Sequence, residues 1–406
     1  MTEAVVIDVL PIETRVGVPA SAEWRELNRR ARAGNMFLGP EWLEPWWTHF
    51  GAGREICCIC VREGGRLIGL MPLFAESVRR GGVPVRRVAF LGDGETGCDD
   101  LDVLAEPGRE REVLRICLDR LMDLPWDVCE LDGLWRGSQT ALQLAERFPP
   151  RRVTDDVVRS ARLRYLCPSI PLEGTYEQYL ATLARRENLR RREKWIWRQP
   201  GAAIRCARAP EEAGPATEQL IALHRARWAA DGGSDGLTDE RTEAFHRDAT
   251  QRLARAGMLR MYTLLVARRP VASVYGVVHG QKFNYYQSGY DPLWAGKSVG
   301  LVLLARTVKD AFADGSREFD FLRGNESYKG EWARAERWTV QMSLWRGARG
   351  RAARAALGTS LTAREALKAA VPRRALEAMR RARRILRAPS AGETRISRAW
   401  RILREP

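Results

Sequence analysis

The sequence lacks the features that would place it in a membrane or outside the cell. Its longest clearly apolar runs, such as 56–61 and 301–305, fall far short of the ~20 residues that cross a bilayer, so no transmembrane helix is expected. The N-terminus carries Glu3 and Asp8 in a strand-like run, with neither a basic leader nor a cleavable apolar segment. These absences predict a cytoplasmic protein.

Groups that could hold a metal are also sparse. The four histidines (49, 224, 246 and 279) are scattered and form no HExxH-type pair, and the eight cysteines show no metal-ligand spacing. Cys57, Cys58 and Cys60 fall in a β-like run, in which successive side chains point to opposite faces and cannot converge on one ion. We expect no metal, and reduced cysteines that are buried as small apolar side chains.

Positive charge is concentrated at the C-terminus. The 406 residues carry a net charge of +16, and residues 346–406 supply +13 of it, with 17 Lys and Arg against four Asp and Glu. Such a tail is typically a solvated appendage that can contact phosphate-rich surfaces. A short basic amphipathic helix that lies on anionic membrane is predicted from Leu376, Met379, Ile385 and Leu386 among the arginines of 380–387. We therefore predict a cytoplasmic protein that this helix can hold at the membrane periphery.

The remaining chain has the length of two domains at ~150 residues each, and both halves follow one order of elements. The first opens with a strand at 4–10, a helix from Ser21 with its hydroxyl as a possible N-cap, and a helix from Pro40. A hairpin of EICCICV and RLIGLMPLFA turns at Gly64 and Gly65.

The second half has a basic helix at 176–198, three strands between 258 and 290, and a long helix at 297–313. The runs WDVCELDG (126–133) and REFDFLRG (317–324) fill the same slot after the main helix of each half. We predict an α/β (α+β) fold of two tandem mixed-sheet units, 1–165 and 166–345, followed by a basic, partly helical tail at 346–406.

Several motifs carry a family resemblance. They are PEWLEPWW (40–47), RLIGLMPL (66–73), ARRENLRRREK (184–194), SGYDP (288–292), KSVG (297–300) and FDFLRGNESYKGEW (319–332). In this order they resemble the GNAT-type acyltransferases of the CelD/BcsL (cellulose biosynthesis) family. More distantly, the tandem arrangement resembles the Fem-type aminoacyl transferases of peptidoglycan bridge synthesis. The resemblance covers most of residues 20–345, and the basic tail has no counterpart in it.

The resemblance implies an N- or O-acyltransferase that uses acetyl-CoA or another acyl-CoA and acts on a polysaccharide precursor or cell-envelope metabolite. The first unit contains no tyrosine before Tyr165 and is expected to be architectural. The coenzyme diphosphate is expected on the loop that enters the long helix, where unpaired N–H groups and the helix dipole favour an anion. The residues of this cradle are Gly296, Lys297, Ser298, Val299 and Gly300.

The same resemblance assigns candidate catalytic roles near the end of REFDFL. Tyr328 is the candidate acid for the departing thiolate, because a phenol with a pKa near ~10 stays protonated at neutral pH. Asp320 and Glu326 are candidate acceptors for the proton of the amine. Lys329 is expected to attract an anionic part of a substrate, and Tyr286 to line the cleft. Each of these residues has a structural alternative, as a surface ion pair or a packed ring.

Two motif matches in the loop are rejected, and two other functions stay open. AGKS does not complete a P-loop because Asp291 stands where glycine is required, and GKSVG has no histidine after it to serve a hydrolase. The first open alternative is an aminoacyl-tRNA-dependent, Fem-like transferase, for which tRNA would be the nucleic-acid partner. The second is a non-catalytic scaffold of an envelope-biosynthesis complex.

Overall fold

Contacts along the chain define two units. The computed structural model describes residues 12–149, 156–231, 237, 239–324 and 326–370. Of these, residues up to 168 form the first unit together with 322–329 and 335–354, and residues 169–321, 330–334 and 355–370 form the second. The segments 322–329 and 335–345 thus cluster with the first unit, whereas the sequence placed them in the second.

Both helices and strands occur in each half of the described chain. Up to residue 171 they are β1 Ile12–Val16, α1 Ser21–Arg30, α2 Pro40–Phe50, β2 Arg54–Ile56, β3 Ile59–Glu63, β4 Arg66–Met71, β5 Leu73–Arg80, β6 Val83–Phe90, β7 Leu104–Ala105, α3 Glu110–Asp123, β8 Val128–Trp135, α4 Gln139–Arg147 and β9 Val157–Pro171. The elements after residue 171 are α5 Tyr176–Ala181, α6 Arg186–Ile196, β10 Ala203–Ala207, α7 Pro210–Asp231, α8 Glu240–Arg255, β11 Leu259–Val266, β12 Arg269–His279, β13 Lys282–Tyr290, α9 Val299–Ala313, β14 Glu318–Asp320, α10 Ser327–Trp332, β15 Ala335–Arg346 and α11 Gly347–Ala370. The predicted mixed α/β architecture of two units is confirmed.

The first unit contains two sheets. One has the strand order β1-β3-β4-β7, and the other contains β15-β8-β6-β5-β2, with β6 and β8 parallel. β15 belongs here because it pairs antiparallel with β8 from Thr339 to Trp345. The hairpin at Gly64 and Gly65 is confirmed, and both glycines have the positive φ that the turn requires.

Two local predictions for the first unit need correction. The run 66–75 is not one strand: Pro72 divides it into β4 and β5, which pair in different sheets, since proline lacks the N–H that a continuing ladder needs. α1 begins at Ser21 as predicted, but its N-cap is Ala20, and the Ser21 hydroxyl donates to Glu44 of α2. The predicted strand at 4–10 lies outside the described residues.

The core of the first unit forms around α2, which begins at Pro40 as predicted. Trp42 and Trp46 are fully buried, and the Trp46 ring lies 5.4 Å from that of Phe74 on β5. Burying an aromatic side chain of this size stabilises a fold by about 1.5–3 kcal/mol. The tryptophans of the PEWLEPWW motif therefore attach α2 to the sheet.

The second unit has the strand order β10-β11-β12-β13-β14, followed by the end of β9. The strands from β10 to β13 are antiparallel, while β13 and β14 pair in parallel over three residues. The rings of Phe283 and Phe319 stack 4.8 Å apart across this parallel pair. The basic helix predicted at 176–198 is interrupted, and its two parts are α5, which Thr175 caps, and α6.

No disulfide joins the described cysteines, and all are buried except Cys206, which is part-buried. In the part of the chain that the structure covers, no helix is both long and apolar enough to cross a membrane. α11 carries the predicted tail to residue 370 as helix. The amphipathic segment predicted at 376–387 lies outside the described residues.

Candidate functional site

The loop between β13 and α9 turns sharply before the helix begins. Asp291 accepts a hydrogen bond from the N–H of Leu293 and so starts a 3₁₀ turn at Pro292–Lys297. Ser298 then adopts a left-handed conformation with φ 58°, which is uncommon for any residue except glycine. Strained residues of this kind concentrate at functional sites. The turn therefore fixes the position of the first turn of α9.

The N–H groups at the start of α9 are available to a ligand. The side chain of the N-cap residue, Ser298, makes no capping hydrogen bond to this helix. Among the described residues, no acceptor binds the N–H groups of residues 299–301, whereas the N–H of Val302 donates to the carbonyl of Ser298. A Cβ built on Gly296 would meet no atom within 4 Å, so the space beside the loop is open. Free N–H groups at the positive end of a helix constitute an anion site.

Two cations flank this helix start. Arg192 of α6 donates from Nη1 to the carbonyl oxygen of Gly296 at 3.0 Å, which holds α6 against the loop. The ammonium of Lys297 lies 4.6 Å from the ring centre of Trp195, also on α6. All five predicted cradle residues, 296–300, are thus brought together at the helix start. The contribution of Arg192 was not predicted, because 104 residues separate it from Gly296.

The strand that leads into this loop contains a bulge. β12 pairs Gly276 with Tyr285 and Tyr275 with Gln287, so Tyr286 is an additional residue in β13. The parallel pairing with β14 stops at Asn284 and Asp320, while β13 continues to Tyr290. A bulge disrupts the ladder and re-aims a side chain, and bulges are common next to active sites. The bulge and the end of β14 therefore expose part of β13 to a ligand.

Tyr286 lies against a buried histidine that the sequence did not single out. Its hydroxyl is 3.4 Å from Nε2 of His246 on α8, and its ring centre is 5.1 Å from that of Tyr275. Burial lowers the pKa of His246 to about 3, so the imidazole is neutral at pH 7 and can accept a hydrogen bond. The pair joins residues 40 positions apart, and local spacing could not have revealed it.

Asp320 ends β14 and is completely buried. Its carboxylate lies 3.4 Å from Nζ of Lys282, which is also 3.4 Å from Glu318. A buried carboxylate requires such a partner, because desolvation of an unpaired charge is costly. The ion pair gives Asp320 a structural role, and its role as a proton acceptor stays a prediction.

The other three predicted residues lie in the 322–329 segment of the first unit. Lys329 is buried, and its Nζ donates to the carbonyl of Arg323 at 2.7 Å and lies 3.1 Å from Glu326. Arg323 is held in turn by Asp99, with Nε 2.7 Å from Oδ1. Lys329 and Glu326 thus form an ion pair, which was the structural alternative for both; Glu326 is on the surface, and Tyr328 is half-buried beside them. The substrate role of Lys329 and the catalytic roles of Glu326 and Tyr328 stay predictions.

In the described ranges, no group of three or more His, Cys, Asp or Glu side chains is arranged to hold a metal ion.

Comparison with known proteins identifies the class of the second unit. A family model described as "Acetyltransferase (GNAT) domain" matches residues 184–330, which include α6, the β13 bulge, the loop and α9. The prediction of an acyltransferase is confirmed by this match. No curated protein matches the chain in sequence.

Solved structures support the fold over a longer stretch. FemX is similar with a TM-score of 0.56 at 10% identity, over 81% of this chain and 96% of its own. A conserved protein of unknown function from Bacteroides thetaiotaomicron has a TM-score of 0.52 at 10% identity, over 82% of this chain and 100% of its own. At such low identity these similarities show a shared fold. The resemblance to GNAT-type and Fem-type proteins is therefore supported at the level of the fold.

Proposed function

We propose that this protein transfers an acyl group from acyl-CoA to an amine or hydroxyl of a polysaccharide precursor or related cell-envelope metabolite. The observation that carries the proposal is the uncapped start of α9, where the N–H groups of residues 299–301 face open space beside Gly296. A diphosphate suits this site because it carries negative charge and several acceptor oxygens. The saccharide acceptor is supported by the motif resemblance.

Different residues of the second unit bind the acyl donor and the acceptor. The loop at 296–300 holds the diphosphate, and Gly300 keeps a side chain out of its way. Bound acyl-CoA supplies a thioester that is already activated, so the protein's task is to bind and orient the two substrates. Tyr286, displaced by the bulge and held by His246, positions the acceptor.

Isothermal titration of the intact protein with CoA and acetyl-CoA tests this proposal. We expect binding to one site per chain, and much weaker binding of pantetheine, which lacks the diphosphate. Absence of binding at millimolar CoA would overturn the proposal. Equal affinity for CoA and pantetheine would likewise overturn the role of the α9 start, because that site recognises only the diphosphate.

A second candidate keeps the fold and replaces the donor by aminoacyl-tRNA. The observation in its favour is α6, which presents Arg190, Arg191 and Lys194 beside the loop that Arg192 contacts. Neutralisation of phosphates by several such cations makes affinity fall steeply with salt. This candidate predicts tRNA binding with a steep salt slope that is lost when the four basic residues are replaced by glutamine. If the wild-type protein does not bind tRNA at any salt concentration tested, the aminoacyl-tRNA donor is rejected.

The basic tail is proposed to contact an anionic membrane surface and so to keep the protein membrane-peripheral in the cytoplasm. The support is its net charge of +13 over residues 346–406. Co-sedimentation with vesicles tests it. The full chain is expected to pellet with vesicles that contain anionic lipid and to stay in solution with neutral ones, and a variant that ends at residue 345 should pellet with neither. Equal pelleting with both vesicle types would contradict the proposal.

A further inference from the structure

A groove of about 500 Å³ runs between α6 and α9 of the second unit, with Ile204 of β10 at its base. Its long walls are one face of each helix, because the lining positions on α9 recur every three or four residues from Val302 to Asp310. The groove begins where the first turn of α9 ends, since the N–H of Val302 closes that turn on Ser298. From Val302 to Lys309 it extends about 10 Å along the helix.

Cations from both helices face this groove. Arg190 and Lys194 come from α6, and Arg306 and Lys309 come from α9. Two carboxylates, Glu193 and Asp310, also line it, so the groove keeps a net charge of +2.

Neither carboxylate forms a close ion pair with the lysines; the ammonium of Lys309 lies 5.9 Å from the ring centre of Tyr176 on α5. Asp310 is paired with Arg306 at 2.7 Å, while Glu193 is half-buried. Lys194 and Lys309 have no carboxylate within 4 Å in the part of the chain that is described, and both are exposed. Their charges are available to an anion.

The groove also offers an aromatic surface. The side chain of Trp197, at the end of α6, is 47% exposed and borders the groove beside the apolar Ile204 and Val302. A half-exposed indole can stack on a planar base, and such stacking contributes about 1–3 kcal/mol per base. A ring with paired lysines nearby is suited to a ligand that combines a base with phosphate. A purely saccharide or lipid ligand would use only one of the two features.

We propose that this groove binds a phosphorylated nucleoside, namely the 3′-phosphoadenosine end of the coenzyme. The identity of this ligand rests on the proposed function. When the diphosphate of acyl-CoA binds at the first turn of α9, the groove lies directly beyond it. Lys194 and Lys309 bind the 3′-phosphate, and Trp197 stacks on the base. A tRNA 3′ end also combines an adenine base with phosphate, although its phosphate is the 5′ phosphodiester, and the experiment separates the two sources.

The test uses the full chain and adenosine 3′,5′-bisphosphate as the probe, measured by isothermal titration. The double variant Lys194→Gln with Lys309→Gln is compared with Arg191→Gln with Arg198→Gln, which removes two exposed cations outside the groove. Removal of charged hydrogen bonds of this kind lowers the affinity for the probe about tenfold. We expect that loss in the groove variant, little change in the control, and a similar loss on Trp197→Ala. Thermal unfolding of all variants should match the wild type, because the lysines are exposed.

The outcomes separate this inference from the proposed function. Absence of probe binding, or equal affinity in both double variants, would overturn the groove assignment even if CoA binds. Wild-type affinity that is tenfold higher for CoA than for 3′-dephospho-CoA, and equal for both in the groove variant, would support it. Groove-dependent binding of the probe that tRNA displaces and CoA does not would support the groove and overturn the acyl-CoA donor.

Discussion

The two units place a helix at the same point in their order of strands, and the starts of these helices differ in charge. α3 of the first unit begins with Glu110 and Glu112, and the Arg109 that precedes them is neutralised by Glu112 and Glu63. α9 of the second unit has no acidic residue in its first turn and is flanked by Lys297 and Arg192. A helix dipole alone therefore does not define an anion site, because carboxylates in the first turn occupy the same field.

The parallel strand pairs of the two units show the same contrast. β6 and β8 pair as far as Ala89 and Glu130, where β6 is one residue from its end, whereas β13 continues six residues beyond its pairing with β14. In the first unit, Arg87 joins Glu76 at 2.7 Å and Glu130 at 2.5 Å, and also contacts Asp93. Charged side chains satisfy one another there, while the second unit has a bulge at the corresponding place. The contrast favours an architectural role for the first unit, which stays a prediction.

Replacement of Arg87 by methionine is expected to have the largest effect on stability. It leaves Asp93, which is 11% exposed, without its ion-pair partner, and leaves the buried Glu130 with Arg80 alone, which costs about 3–5 kcal/mol of unfolding free energy. Urea denaturation measures this. Arg115→Gln, which breaks the exposed pair with Asp119, serves as the control and should stay within about 0.5 kcal/mol of wild type. A loss below about 1 kcal/mol for Arg87→Met would show that the network is dispensable.

Gly300→Glu converts the start of α9 into the acidic pattern of α3. A Cβ at this position meets only Cδ1 of Tyr290, at 3.8 Å, so the fold should tolerate the change. The new carboxylate repels the diphosphate, and we expect about a 100-fold loss of CoA affinity in isothermal titration. Glu112→Gln in the first unit is the matched control and should leave CoA affinity unchanged. If Gly300→Glu keeps the wild-type affinity for CoA, the diphosphate does not bind at the start of α9.

The stabilities of the two units should also change in opposite directions as the pH falls. Burial lowers the pKa of His246 to about 3 and that of His224 to about 4, below the unfolded value of ~6.5. The unfolded state then binds more protons below pH ~6.5, so each histidine costs about 1.4 kcal/mol of stability per pH unit as the pH falls. Burial raises the pKa of Asp99 and Asp102 to about 6, so these carboxyls add stability to the first unit as the pH falls from above 6 toward ~4.

Hydrogen exchange at pH 7 and pH 5, corrected for intrinsic rates, resolves the two responses. Peptides from α8 and β13 should lose protection at pH 5, and peptides from β6 and residues 91–105 should keep or gain it. A parallel loss in both units would show that the buried histidines do not govern the acid response. In His246→Gln, the change between the two pH values should shrink in the α8 peptides alone.

Tyr286→Phe should have the smallest of these effects. It removes the hydroxyl that His246 holds, so we expect CoA release from acyl-CoA in the presence of an acceptor to slow about fivefold, with CoA affinity unchanged. Tyr275→Phe is the control, because its buried hydroxyl has no hydrogen-bond partner among the described residues and its removal should be neutral. Equal rates in both variants would assign Tyr286 to packing.

The sequence predicts those parts of the second unit that local patterns determine. Alternating apolar residues predict β11 to β13, and the glycines predict the turn into α9, whose use as an anion site stays a prediction. The bulge at Tyr286 was not predictable, because a one-residue shift in register leaves no local pattern. The pairing of β15 with β8 was missed for a similar reason, since it depends on strands more than 200 residues apart.

Hydrogen exchange with and without saturating CoA shows whether CoA binds at the start of α9 and not at the start of α3, because it reports on both helix starts in one experiment. With CoA bound, we expect slower exchange in peptides that cover 292–305 and unchanged exchange in peptides that cover 106–116. Slower exchange at the start of α3, or unchanged exchange at the start of α9 despite measured binding, would contradict it.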